Sequence, residues 1–154
     1  MRMRQMEDIQ EIMKNDLKKI GIDLDAEKNS RHTSFNPEDM RRKSTYGEFI
    51  FADERGYHYI SPGLRESEHV DETFDNVDDL LYSIYRSRAF SIASFEAGKY
   101  WLEHRDCDIT AIMRSRMLEI LKALGEEYYL RRLQEIKEKQ LQEEKYFETT
   151  KRNQ

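Results

Sequence analysis

The stretch from Val77 to Trp101 does most to restrict what this chain can fold into. Val77, Leu80, Leu81, Ile84, Tyr85, Ile92, Ala93, Ala97, Tyr100 and Trp101 recur at helical spacing and lay down one broad apolar stripe. Its middle is rich in small residues, namely Ser87, Ala89, Ser91, Ala93, Ser94, Ala97 and Gly98. Small side chains let a second backbone approach closely, so the spacing predicts a long helix at the centre of a core. Asp75 or Asn76 can cap it. Asp78 and Asp79 fall in its first turn, where a carboxylate meets the positive end of the helix dipole. Trp101, at the end of the stripe, is expected in the core. Arg88 and Glu96 lie on or beside the stripe, so either can be partly buried, and the sequence leaves open whether each is buried and paired; burying either charge is costly unless it is paired.

The remaining elements follow from shorter patterns. Met6, Ile9, Met13, Leu17 and Ile20 give an amphipathic helix from Arg4 to Ile20, closed by Gly21. Residues 22–45 show no period and are expected to be a loop, with a turn near Pro37 to Met40. TYGEFIFAD and GYHYIS are dense in β-branched and aromatic residues, and Asp53-Glu54-Arg55-Gly56 between them is a hairpin signal. A third strand from Arg65 to Val70 is weakly signalled. Asp108 can cap a further helix bearing Ile109, Ile112, Met113, Met117, Ile120, Leu121 and Leu124, with Gly125 closing it. Tyr129, Leu133 and Ile136 mark a last helix, and beyond Lys137 little is left to bury, so a frayed tail is expected.

Together these predict one α+β domain over residues 1–154. It comprises an N-terminal helix (1–21), a loop (22–45), a hairpin region (46–74), a helical core (76–136) and a charged, frayed tail (137–154). The expected architecture is a small antiparallel β-hairpin or three-stranded sheet packed against a predominantly helical C-terminal half.

Composition narrows the function classes. The single Cys107 excludes an intramolecular disulfide framework and a cysteine-based zinc cluster, which fits a reducing cytoplasm. MRMRQMEDIQ lacks the apolar run of a secretory signal, and AFSIASF is far too short to span a membrane. No membrane partner is expected, and with a net charge of −5 no nucleic-acid partner either. The acidity is local: seven carboxylates fall between Glu66 and Asp79 with no Lys or Arg among them. Local charge of this kind steers association with an oppositely charged partner.

Candidate chemistry is sparse. His58 and His69 with Glu66 and Glu68 can be read as a divalent-metal or acid/base site of a small hydrolase. No spacing supports it, for HExxH, a glycine-rich phosphate loop and a calcium loop are all missing from the sequence. Cys107 sits between Asp106 and Asp108, which weaken a thiol as nucleophile by raising its pKa. No catalytic residue, metal or cofactor is therefore expected, and a non-catalytic adaptor domain remains a further alternative. Tyr57 and Tyr59 can complete a core or form a docking face, since tyrosine is enriched in interfaces. Asp75, Asn76, Asp78 and Asp79 are explained as the cap and first turn of the long helix. Glu66, Glu68, His69, Asp71 and Glu72 are not, and they are the candidate docking residues, with Tyr57 and Tyr59 beside them.

One resemblance bears on role. Asp78-Asp79-Leu80-Leu81-Tyr82, Phe90-Ser91 with Ala93, Glu96, His104-Arg105 and the helix carrying Arg114, Arg116-Met117-Leu118-Glu119-Ile120-Leu121, together with GYHYIS and ESEH, resemble the immunity protein 63 family of bacterial polymorphic toxin systems. The likeness covers roughly Thr45 to Ile136. It implies a small cytoplasmic α+β protein that binds and blocks a cognate toxin domain, and it carries over neither catalytic nor contact residues. A basic nuclease toxin would complement the carboxylates, which can mimic phosphates.

Overall fold

The structure is a computed structural model, and it describes residues 2–26, 33–41, 47–62 and 69–153. The chain is α+β. In order it forms α1 (Arg2–Lys18), β1 (Thr33–Ser34), α2 (Glu38–Arg41), β2 (Glu48–Asp53), β3 (Gly56–Pro62), β4 (His69–Phe74), α3 (Val77–Glu103), α4 (Ile109–Leu124) and α5 (Glu126–Arg152). The sheet has four strands in the order β1-β2-β3-β4. β1 runs parallel to β2, and the other pairs are antiparallel.

Two details differ from the sequence expectation. β1 lies in the stretch read as loop, because two residues cannot display a period. The strand after the hairpin is described over His69–Phe74; of the expected Arg65 to Val70, residues 65–68 lie outside the described residues. HVDETF pairs along the whole of β3, from Pro62 opposite His69 to Tyr57 opposite Phe74. Its carboxylates hid the continuation beyond Val70, since Asp71 and Glu72 read more naturally as loop than as strand. They are at home on an end strand, where charge discourages unwanted pairing.

The chain divides into two compact units, Met1–Arg88 and Ala89–Gln154, with α3 contributing to both. In the first unit, the cross-strand register places Glu48, Ile50, Tyr59 and Glu72 on one face of the sheet. That face is bonded to both helices. Arg88 of α3 donates to Glu48 (2.9 Å) and to Thr33 (2.6 Å), and Ser83 donates to Glu72 (3.3 Å). Tyr57 reaches Gln5 of α1 (2.9 Å), and Tyr85 of α3 donates to Asp16 of α1 (2.6 Å). Against this face are buried Ile9, Met13 and Leu17 from α1, Ile50 and Tyr59 from the sheet, and Leu80, Leu81, Ile84 and Tyr85 from α3, while Phe49 and Ile60 are buried on the other face of the sheet. Each such side chain is worth about 1.5–3 kcal/mol on burial. The hairpin turns through Gly56 at φ +137°, where an added Cβ would meet the Phe74 carbonyl oxygen at 2.5 Å. Only glycine fits there.

The second unit comprises the rest of α3, then α4 and α5. Asp108 caps α4 by accepting from the Ala111 N–H (3.1 Å), as its position predicted. Gly125 alone separates α4 from α5, and a Cβ on it would lie 2.9 Å from the Tyr128 ring. Ala89, Ala93, Ala97, Met117, Ile120, Leu121, Leu124 and Tyr128 are buried. Arg116 joins α4 to α3 through Glu96 (2.6 Å).

Several placements complete or correct the sequence reading. Arg88 is paired and largely buried, but Glu96, though paired, is nearly half exposed. Trp101 is not core: it is 36% exposed, and the Arg105 guanidinium lies 3.9 Å above its ring. α5 is helical to Arg152, and each residue from Lys137 to Asn153 is exposed. No described helix is long and apolar enough to cross a membrane.

Candidate docking edge

β4 is the end strand of the sheet, and its His69, Val70, Asp71 and Thr73 are exposed. The sheet face opposite the core places Phe51 across from His58, and His58 across from Thr73. Asp53 is a diagonal neighbour of His58 at the end of β2, and Asp71 is one on β4. Cross-strand neighbours of this kind interact directly.

His58 is the focus of that face and is only 3% exposed. Its Nε2 lies 2.7 Å from Asp53 Oδ1, and its Nδ1 lies 3.1 Å from Asp71 Oδ1 and 3.3 Å from the Thr73 hydroxyl. The ring stacks on Phe51 at 4.7 Å and 14°. An ionised carboxylate only accepts hydrogen bonds, so both carboxylates are bonded together only when both ring nitrogens carry protons; with one proton, on Nε2, the ring donates to Asp53 and its Nδ1 accepts from the Thr73 hydroxyl. Burial pushes the imidazole pKa down, but the bonds to Asp53 and Asp71 and their charges outweigh it, and the net shift is upward. The His58 hydrogen bond, followed by the Arg55 backbone N–H, holds the Asp53 carboxyl below its usual range.

This arrangement limits the chemistry. A protonated Nδ1 cannot take a proton from Thr73, so the doubly protonated ring does not act as a base toward that hydroxyl. Among the described residues, no group of three His, Cys, Asp or Glu side chains is placed to hold a metal ion.

The candidate docking residues are placed unevenly. Glu66 and Glu68 lie outside the described residues. His69 is exposed, with its ring edge-on to Phe49 at 6.1 Å. Asp71 is about half exposed, although one carboxylate oxygen is committed to His58. Glu72 points to the core face and accepts from Ser83. Tyr57 is half-buried, its hydroxyl on Gln5. Tyr59 is core at 1% exposure and donates to Glu48 (2.8 Å). Burial, followed by the nearby Glu48 charge, pushes its hydroxyl pKa well above the usual value. A side chain enclosed in this way touches no partner.

Two participants escaped the sequence reading. Asp53 reads as a turn residue, which it also is, since it accepts from the Arg55 N–H (2.8 Å). The hairpin register fixed by Gly56 would have placed it beside His58. Val70 is 49% exposed at the start of β4, and nothing in the sequence marks it as such. Compared with family models, curated proteins and solved structures, the chain has no match in any of the three.

Proposed function

We propose that this chain is a cytoplasmic immunity protein that neutralises a cognate bacterial toxin domain by direct association, with β4 as the docking edge. The observation that carries this is an outermost strand with exposed His69, Val70 and Asp71, free of a strand partner on its outer side among the described residues. Such an edge offers backbone groups to an extended segment of another protein. Its carboxylates, and those preceding it in sequence, favour a basic partner and speed encounter at low salt. A nuclease toxin, basic because its substrate carries phosphates, fits that description. The hydrolase alternative draws on His58, His69, Glu66 and Glu68, and of these His58 is bonded to Asp53 and Asp71 and His69 packs edge-on to Phe49.

Co-expression with a candidate toxin domain tests this reading. Growth is expected to be rescued by the native chain. Rescue should weaken with V70K combined with E66Q and E68Q, changes that leave the Asp71–His58 and Glu72–Ser83 contacts in place. The affinity of the native pair should fall as salt rises, and the variant should show a shallower salt dependence. Unchanged affinity and unchanged salt dependence in the variant would remove β4 as the docking edge. Failure of the native chain to bind any neighbouring toxin domain would remove the role itself.

A further inference from the structure

We propose that His58 is a proton-operated clasp: its imidazolium ties β2 to the end strand β4 by donating one N–H to Asp53 and the other to Asp71, and loss of its proton releases the Asp71 arm. The proposal is independent of the toxin reading.

The geometry has three parts. His58 is on the middle strand of the three it links, and it is buried against the Phe51 ring. The groups that bond it come from both neighbouring strands: Asp53 from β2, and Asp71 and the Thr73 hydroxyl from β4. Phe51 contributes a ring face and no hydrogen-bond acceptor of its own. A neutral imidazole has one N–H and one lone pair. Deprotonated, His58 keeps one N–H for a carboxylate, and its lone pair, which the Thr73 hydroxyl can fill, faces the other carboxylate and repels it. The Asp53 contact is shorter than the Asp71 contact (2.7 against 3.1 Å), so Asp71 is the arm that gives way. β4 then loses its charged tie to the sheet and keeps only the longer Thr73 contact, and the Asp71 charge, balanced until then by the imidazolium, is left uncompensated on the exposed edge.

The sign follows from linkage. His58 binds its proton more tightly folded than unfolded, so its contribution is complete below the unfolded value near 6.5 and is lost as pH rises through the folded value. Asp53 is shifted the other way: its contribution is present above 3.8 and is lost as pH falls through its lower folded value. The clasp is closed between the two folded values.

The test uses the full chain, isotope-labelled. The His58 ring signals, assigned through their contacts with Phe51, are followed against pH by NMR together with amide exchange in β4. Exchange in β2 serves as the internal reference for intrinsic base catalysis. The expected result is a His58 midpoint above 6.5, with β4 protection falling relative to β2 through that same midpoint. D71N should lower the midpoint and abolish the linked loss. A midpoint at or below 6.5 would overturn the proposal, and so would β4 protection that stays constant through the midpoint. Both deciding measurements are made on the native sequence, so they hold whether or not D71N folds.

Discussion

Helix α3 is two different helices in one. From Leu80 to Tyr85 six consecutive residues are buried, so this part is enclosed on every side. From Ala89 onward only every fourth residue, Ala89, Ala93 and Ala97, is buried, while Phe90, Phe95, Tyr100 and Leu102 are exposed. The apolar text is continuous across both parts. What differs is the width of the face that is covered. An enclosed helix gains from each large side chain, whereas one packed along a narrow alanine stripe gains from close approach and leaves its large side chains to water. In the second part cations partly cover the rings: Lys99 lies 4.5 Å from the Phe95 centroid, and Arg105 lies over Trp101.

The sharpest way to break that contrast is truncation on each side of Ala89. L81A should cost about 3 kcal/mol in urea unfolding, the usual penalty for a cavity in a packed core. F95A and L102A should each stay within about 0.5 kcal/mol of the native chain. Equal losses on both sides would mean that the second part is covered as well. Ion pairs give the next largest difference. E48Q strands the largely buried Arg88 and should cost about 2 kcal/mol. E96Q breaks the exposed pair with Arg116 and should cost less than about 1 kcal/mol, with the remainder disappearing in high salt.

Smaller effects refine the picture inside the second unit. D108A removes the α4 cap and should cost about 1 kcal/mol. Gly98 has nothing within 4 Å of an added Cβ, so G98A should stabilise by about 0.5–1 kcal/mol through helix propensity. G125A should do the reverse, because its Cβ would collide with the Tyr128 ring. Thermal unfolding of the two alanine variants side by side checks the sign of each.

Much of the fold was legible because it rests on local rules. Helical periods gave α1, α3 and α4, Asp108 announced its cap, and Asp53 to Gly56 announced the hairpin. β1 was not legible, since two residues carry no pattern. The continuation of β4 beyond Val70 was not legible, because Asp71 and Glu72 speak against a strand until the sheet places them at its edge. Of the candidate site, the acidity was legible and the division of labour was not. Asp71 is tied to His58, Glu72 turns toward Ser83, and Tyr59 is enclosed, leaving His69, its ring edge-on to Phe49, and the unanticipated Val70 as exposed side chains of that strand.

The sequence by itself determined which residues share a face, because periods of two and 3.6 follow from backbone geometry alone. It also placed the turn at Gly56 and concentrated the negative charge ahead of the long helix. Only the tertiary structure decided which faces are covered. Tyr57 and Tyr59 share a strand face, yet one hydroxyl reaches Gln5 from a half-buried ring and the other lies in the core. Trp101 continues the stripe of Ala93 and Ala97 and still meets water. The meeting of His58 with Asp53 and Asp71 likewise needed three strands in register. Burial and pairing are properties of what packs against a face, and no single segment carries that information.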